Sequence, residues 1–219
     1  MLPRILEPEV MDTLEDALEY DAMDFTEVNT AFAERAVELL PQEGLILDLG
    51  TGTARIPLII LELNPKLKII ATDLSINMLD VAKTNVEKSK HKDKITLIQI
   101  DAKKIPYPNH FFDGVISNSL IHHIPEPIQV FREINRVAKP SAAIFLRDLF
   151  RPDNDLQVKA ILEKYAADCN EHQKKLYRDS LLASLTITEV ESLIKQADLT
   201  GCIVVQSSDR HWSVERKFS

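Results

Sequence analysis

Between residues 44 and 149 the chain alternates between short apolar runs and segments of helical period, and that alternation limits the folds open to it. "GLILDLG" is a continuous apolar run ended by Gly50, as a strand buried on both faces would be. A helix from about Ala54 to Leu63 follows and stops near Asn64-Pro65. "LKIIATD" reads as a second strand and "SINMLDVAKTNVEKSK" as a helix with Ser75 as its N-cap. "KITLIQID", "FDGVISNS" and "AAIFLRDL" read as three more strands, with the helix "EPIQVFREINRVAKP" before the last. Strands alternating with helices mean βαβ units and a parallel sheet covered on both faces.

The flanks read differently. Residues Glu9 to Leu40 look helical: Val28, Phe32, Ala36, Val37 and Leu40 form a helical stripe that ends at Pro41. After Phe150 comes a long, mainly helical stretch, Asn154 to about Ala183, and then the helix "TITEVESLIKQADL", capped by Thr186 or Thr188. "CIVVQ" and "HWSVERKF" read as two closing strands, a hairpin on the sheet edge. No Gly/Ser-rich linker and no repeat interrupts the chain. The expected fold is one α/β domain, residues 1–219, with a doubly wound, Rossmann-like, mostly parallel seven-stranded sheet. Residues 1–42 would form an N-terminal helical lid and 43–150 the core. Residues 151–200 would be a helical cap inserted before the last strands, and 201–219 would supply those strands.

Composition removes several classes of function. The net charge of −8 argues against a nucleic-acid or anionic-membrane partner, which needs a basic face. The longest apolar runs, such as "IPLIILEL", are far below the ~18 residues that span a bilayer. Met1 to Val10, broken by Pro3 and Pro8 and carrying acids, does not read as a signal peptide. The two cysteines, Cys169 and Cys202, are far apart and lack metal-site spacing, which fits a reducing, cytoplasmic setting.

Three strand ends carry the chemistry. In "LDLGTGTARI" a strand runs into Gly-x-Gly and then a helix, which brings backbone close to a ligand at the carboxyl end of the sheet. Alone, the same pattern serves equally well as a tight turn with no ligand. Asp73 ends the second strand at about the separation expected for an acid that grips a ribose. Asp101 ends the third, where a carboxylate suits an adenine amino group and Ala102 offers a backbone N–H.

With these pieces in order, residues 47–148 resemble the class I S-adenosylmethionine-dependent methyltransferases, in the subgroup that contains the ubiquinone/menaquinone C-methyltransferases and many small-molecule enzymes. The matching segments are "LDLGTGTAR", "ATDLSINMLDVAK", "IQIDAKKIPYPNHFFDGVISNSLIHHI" and "INRVAKPSAAIFLRD". The flanks "RILEPEVMDTLEDALEYDAMDFTEVN" and "SSDRHWSVERK" resemble those of an uncharacterised bacterial group of such enzymes. The resemblance implies S-adenosylmethionine as cofactor, S-adenosylhomocysteine as product and a small-molecule acceptor. It implies that Asp48 orients the glycine loop and approaches the cofactor's amino group, and that Gly50, Thr51 and Gly52 border the methionine part. Asp73 would bind the ribose hydroxyls, with Leu74 and Met78 against the adenine or ribose. Asp101 and Ala102 would bind the adenine edge. Asn118 and Ser119 would present backbone to the ammonium group, with His123 nearby. A sulfonium cofactor is cationic, so acids and carbonyls suit it better than the phosphate cradle of a dinucleotide. Two departures stand out: Ala54 replaces the last small glycine, and Arg147-Asp148 ends the fifth strand where an apolar quinone-type pocket would not want charge.

Methyl transfer needs alignment above all, and an O–H or N–H acceptor also needs a base. His122, His123 and Asp148 are the candidates, all at strand ends expected to face one rim. No metal is expected, because no dedicated ligand spacing is present. Tyr20, Phe25 and Asn29 on the N-terminal segment, and Tyr177, Arg178 and Arg210 later, are candidates for the acceptor pocket; Arg178 or Arg210 facing it would make an acidic acceptor attractive. His211 and Trp212 lie on the same late segments. An NAD-dependent oxidoreductase would need Gly-x-Gly-x-x-Gly, and Arg55 falls where that motif fails. A non-catalytic, cofactor-binding or regulatory relative is the other alternative, disfavoured because every cofactor position is intact. "SNSL" replaces the "NPPY"-type signature of base and amide methylation. Two separated cysteines do not supply an arsenite site.

Overall fold

Burial on both sides makes strands of the apolar runs: β1 (Gly44–Leu49), β2 (Leu67–Asp73), β3 (Ile95–Gln99), β4 (Phe112–Asn118) and β5 (Ala138–Leu149). The structure, a computed structural model, describes residues 2–7 and 13–219. The expected helix start at Glu9–Asp12 lies outside the described residues, as do Met1 and Pro8–Val10 of the stretch weighed as a leader. Two helices precede β1, α1 (Leu14–Ala22) and α2 (Thr26–Leu39). Three more connect the parallel strands: α3 (Arg55–Leu63), α4 (Ile76–Glu87) and α5 (Ile128–Val137). Beyond β5 come α6 (Asp155–Tyr165), α7 (Glu171–Ala183), α8 (Ile187–Gln196), β6 (Ile203–Gln206) and β7 (His211–Arg216).

The sheet order is β3-β2-β1-β4-β5-β7-β6. The first five strands run parallel, and β7 pairs antiparallel with both β5 and β6. The closing strands therefore form the edge hairpin, with β7 inward. The chain winds outward from β1 to β3 and then crosses back to β4, so β1 and β4 flank the switch point where α/β sheets open a crevice at their carboxyl ends.

Alternation along each strand feeds two cores. Leu47, Leu49, Val115, Ile144 and Trp212 pack on one face with Phe131 and Ile134 of α5 and Val190 of α8. Ile46, Ile69, Ile116 and Phe145 pack on the other with Phe32 of α2 and Ile60 of α3. Asp48 keeps step with Ile46, so the period of the strand aims it at the α2–α3 face, under the loop that follows.

Three elements differ from the sequence reading, each for a local reason. The N-terminal helix is two, because Asp24 turns the chain by accepting from the Thr26 N–H at 3.0 Å. The stretch 154–183 is also two helices; Asn170 and Gln173 form a reciprocal capping box that starts α7 afresh. Strand β5 begins at Ala138, before Pro140, and its register with β4 shifts between Phe112 and Gly114, which lets a proline with no N–H sit in the strand. No described helix is long and apolar enough to cross a membrane.

Candidate active site

The loop after β1 is shaped by left-handed backbone. Gly50 and Gly52 have φ of 70° and 56°, and Ala54, the N-cap of α3, has φ 62° with no exposure. An alanine in that region costs roughly 1–2 kcal/mol, so the surroundings must hold it there. They do so by hydrogen bonds: Thr51 N–H donates to the Thr72 carbonyl at 2.8 Å, and Gly52 N–H donates to Asp73 Oδ2 at 2.8 Å. Asp73 Oδ1 accepts from Ser75 N–H at 3.0 Å, and Ser75 Oγ caps α4 through Met78 N–H at 3.2 Å. One carboxylate thus ties the glycine loop to the start of the next helix. Burial raises the Asp73 carboxyl above its usual value, opposed by the Ser75, Gly52 and Leu74 amides.

Asp48 is 3% exposed, and among the described residues its Oδ2 has no hydrogen-bond partner; neither has Thr51 Oγ1. Burial pushes the Asp48 carboxyl up to about 7, partly offset by the adjacent Thr51 hydroxyl and reinforced by Asp73. Two orphaned buried oxygens beneath a loop of open backbone fit a cationic, hydrogen-bonding ligand above it.

A cavity of about 420 Å³ lies over the carboxyl ends of the strands. Gly50, Gly52, Asp73, Leu74, Met78, Asp101, Ala102, Asn118, Ser119 and His123 line it. Asp48 and Thr51 lie beneath the loop, nearly buried, and are not among the residues that line the cavity. Asp101 Oδ1 accepts from Lys103 N–H at 2.9 Å, which fixes the turn after β3. Ser119, with φ 57°, is anchored to β5 by its N–H to the Arg147 carbonyl at 2.9 Å.

The histidines meet at one wall. His122 Nδ1 lies 2.6 Å from Asp148 Oδ1, and His122 N–H donates to Asp148 Oδ2 at 3.0 Å. Glu7 Oε1 is 3.4 Å from His122 Nε2 and 3.0 Å from His123 Nδ1. Asp148 is fully buried and absent from the cavity wall. That corrects its placement as a base on the rim: it can act only through His122. Burial alone would push the His122 imidazole down, but the charge and hydrogen bond of Asp148, with Glu7, hold it above its usual value. Burial would raise Asp148, and His122 outweighs it and holds the carboxyl low. With a carboxylate at each nitrogen, His122 is arranged as an ion-paired support. Glu7, His122 and His123 together could hold a metal ion, their ligand atoms lying within 4.8 Å of one another.

The far wall comes from the flanks. Tyr20, Phe25 and Asn29 line the cavity from α1, α2 and the turn between them, and Tyr177 and Arg210 line it from the other side. Arg178 does not; its guanidinium pairs with Asp155 on the exposed surface at 3.4 Å. Trp212 is core, with no exposure. Sequence reasoning missed Glu7 and Tyr165, which carry no motif, and left Arg147 as an unexplained charge at a strand end. Arg147 and His211 also line the cavity. Burial and the nearby Arg210 pull Arg147 down to about 10, and burial with Arg147 and Arg210 pushes His211 down to about 3, so it stays neutral.

This arrangement has relatives. A family model described as "Methyltransferase domain" matches residues 47–146. The chain is 32% identical over 181 residues to a malonyl-[acyl-carrier protein] O-methyltransferase of Marinomonas sp., covering 81% of this chain and 64% of that protein. It is 32% identical over 108 residues to a demethylmenaquinone methyltransferase of Symbiobacterium thermophilum, covering 49% of this chain and 43% of that one. It thus spans less than two thirds of either relative. Among solved structures, one described as a putative S-adenosyl-L-methionine-dependent methyltransferase from Methanococcus maripaludis superposes with a TM-score of 0.72 at 19% identity, covering 98% of each chain. A SAM-dependent methyltransferase from Aquifex aeolicus superposes at 0.68 and 20% identity, covering 94% of this chain and 99% of that one. The match to the methyltransferase-domain family model runs through residues 47–146, with the glycine loop and three acid-bearing strand ends in their expected order.

Proposed function

We propose that the protein is an S-adenosylmethionine-dependent methyltransferase acting on a small-molecule acceptor. The observation that carries this reading is the convergence of Gly50, Gly52, Asp73, Asp101, Ala102, Asn118 and Ser119 on one cavity at the switch point of the sheet. When bound, S-adenosylmethionine supplies an electrophilic methyl group on a cationic sulfur. The protein's part is to bind and align. The Asp73 carboxylate, already fixed by Gly52 and Ser75, keeps lone pairs for two ribose hydroxyls. Asp101 and Ala102 take the adenine edge, and the backbone of Asn118 and Ser119 faces the amino-acid end. Met78 and Leu74 supply apolar contact. Helices α1 and α2 and the α6–α7 segment cover the cavity and keep water from it, the lid and cap of this reading. His123 is the group placed to accept an acceptor proton; His122 and Asp148 position that wall.

The rest of the reading follows from charge and redox state. A net charge of −8 disfavours a nucleic-acid substrate. Cys169 and Cys202 are unpaired, as suits the cytoplasm. Calorimetry with S-adenosylhomocysteine is the test. Micromolar binding is expected, with Asp73→Ala weakening it by about 2 kcal/mol or more through the lost charge-assisted bonds. A folded sample that binds nothing at millimolar ligand would sink the proposal.

A further inference from the structure

The two ends of the cavity carry opposite charge. Asp73 and Asp101 stand on the β2–β3 side, and Arg147 and Arg210 on the β5–β7 side. From β2 to β5 is three strand steps, roughly 14 Å at ~4.8 Å per step, so the arginines do not neutralise the acids.

Both arginines are fixed, and both are fixed by neutral groups. Arg147 Nε donates to Asn118 Oδ1 at 3.1 Å and Nη2 to the Val28 carbonyl at 2.8 Å, with the guanidinium 4.9 Å from the centre of the Phe32 ring. Arg210 Nη1 donates to Tyr177 Oη at 2.6 Å, and its guanidinium carbon lies 3.6 Å from the centre of the Tyr165 ring. Among the described residues neither pairs with a carboxylate within 4.0 Å; the neighbouring Asp209 acts on Arg210 through space and makes its own contacts with Lys164 and Tyr165. His211 beside them is neutral, and Asn29, 8% exposed, lines the same cavity wall. Two half-buried cations side by side repel, and desolvation adds to the cost. A fold that holds them by aromatic faces and carbonyls keeps their remaining N–H groups for an anion, and the planar fork of arginine matches a carboxylate.

We propose that the methyl acceptor carries a carboxylate, held at the end of the cavity between Arg147 and Arg210. This rests on the methyltransferase reading above. A carboxylate could also come from the amino-acid end of the cofactor. Arg210 favours the acceptor, because its props, Tyr165 and Tyr177, belong to the α6–α7 segment, outside residues 47–146 that match the family model.

The experiment uses full-length protein saturated with S-adenosylhomocysteine and a panel of aliphatic and aromatic carboxylates, each with its matching carboxamide, as calorimetric probes. Wild type is expected to bind at least one acid about tenfold or more tightly than its amide. Arg210→Gln and Arg147→Gln are expected to reduce that preference to about threefold or less, Arg210→Lys to keep part of it, and Arg210→Gln to leave S-adenosylhomocysteine affinity within about threefold. Circular dichroism checks that each variant is folded; if the Gln variants are not, the wild-type and Arg210→Lys preferences decide. No preference for any acid overturns the proposal. So does a tenfold loss of S-adenosylhomocysteine affinity in Arg210→Gln, which would give the arginines to the cofactor. Failure of wild type to bind S-adenosylhomocysteine at all would strike the methyltransferase reading itself, a distinct result.

Discussion

Asp48 and Asp148 are both buried acids on neighbouring parts of one sheet, and their surroundings drive them in opposite directions. Burial, reinforced by Asp73, pushes the Asp48 carboxyl up to about 7. The folded state therefore binds a proton that the unfolded chain releases near 3.8, and stability falls as pH rises through that window, by on the order of 4 kcal/mol at most. Asp48→Asn, which cannot ionise, is expected to flatten that slope; urea unfolding at several pH values between 4 and 8 measures it. An unchanged slope would show that Asp48 is not the group that titrates. Asp148 faces an imidazole instead. Its lowered carboxyl contributes stability above the ordinary Asp range that is lost as pH falls through the lowered value. The raised His122 contributes stability that is full below the ordinary His range and is lost as pH rises through the raised value. The pair is strongest between those limits. Asp148→Asn leaves a buried imidazole without its counter-charge, so a loss of about 3 kcal/mol is expected, with the His122 ring titrating lower by NMR. A His122 titration that does not move would show that Glu7 alone sets it.

At the scale of elements, the start of α8 shows how a cap can carry more than its helix. Thr186 Oγ1 accepts from Glu189 N–H at 3.2 Å, and Glu189 Oε2 accepts from Thr186 N–H at 2.8 Å. The other Glu189 oxygen accepts from Arg151 Nη2 at 2.7 Å, and the Arg151 side chain is only 4% exposed. Thr186→Ala removes a cap and is expected to cost about 1 kcal/mol. Glu189→Ala strands a buried guanidinium as well and is expected to cost about 3 kcal/mol. Denaturant unfolding of the two variants checks the order, and a larger loss in Thr186→Ala would refute the argument. The Thr186 cap was one of two that the sequence offered, and the capping box decides between them. Elements were legible where a short apolar run or a period of 3.6 ran unbroken, as in β1 and β2 on one hand and α4 on the other. They were misread where one period continued across a break, at Asp24 and at Asn170. The Asn170 cap with Gln173 three residues on was present as a signal; the helical composition on either side masked it. Pro140 misled in the other direction, because a register shift tolerates a proline that a regular strand would not.

Across the whole molecule, the cavity joins parts of very unequal stability. Its floor is the central sheet, whose strands are buried on both faces. Its cover is thin. Ala17 is the only buried residue of α1, and α7 buries only Leu181, Leu182 and Ala183 at its last turn. Such segments open locally at low free energy while the sheet stays closed. The same division explains what could be read in advance. The floor residues sit at strand ends, where spacing along the chain fixes their place, so Asp73, Asp101 and Asn118 were legible. The cover residues reach the cavity only through packing between distant segments, so Tyr165 was invisible, as was Glu7 behind the histidines, and Arg178, a pocket candidate, lies on the surface instead. Tyr20 of α1 stands next to the glycine loop: a Cβ on Gly52 would lie 3.6 Å from its ring. Helix α7 instead borders the arginine end through Tyr177. S-adenosylhomocysteine alone should therefore order one part of the cover and not the other. At about 100 times its dissociation constant it should stabilise the protein globally by about 2.7 kcal/mol. In hydrogen exchange, Leu14–Ala22 is expected to slow beyond that global effect, while residues 171–176 are expected to stay near their unliganded rate until an acceptor fills the arginine end. Equal protection of both helices by S-adenosylhomocysteine would mean that the cover moves as one body, and that the cofactor alone closes the site.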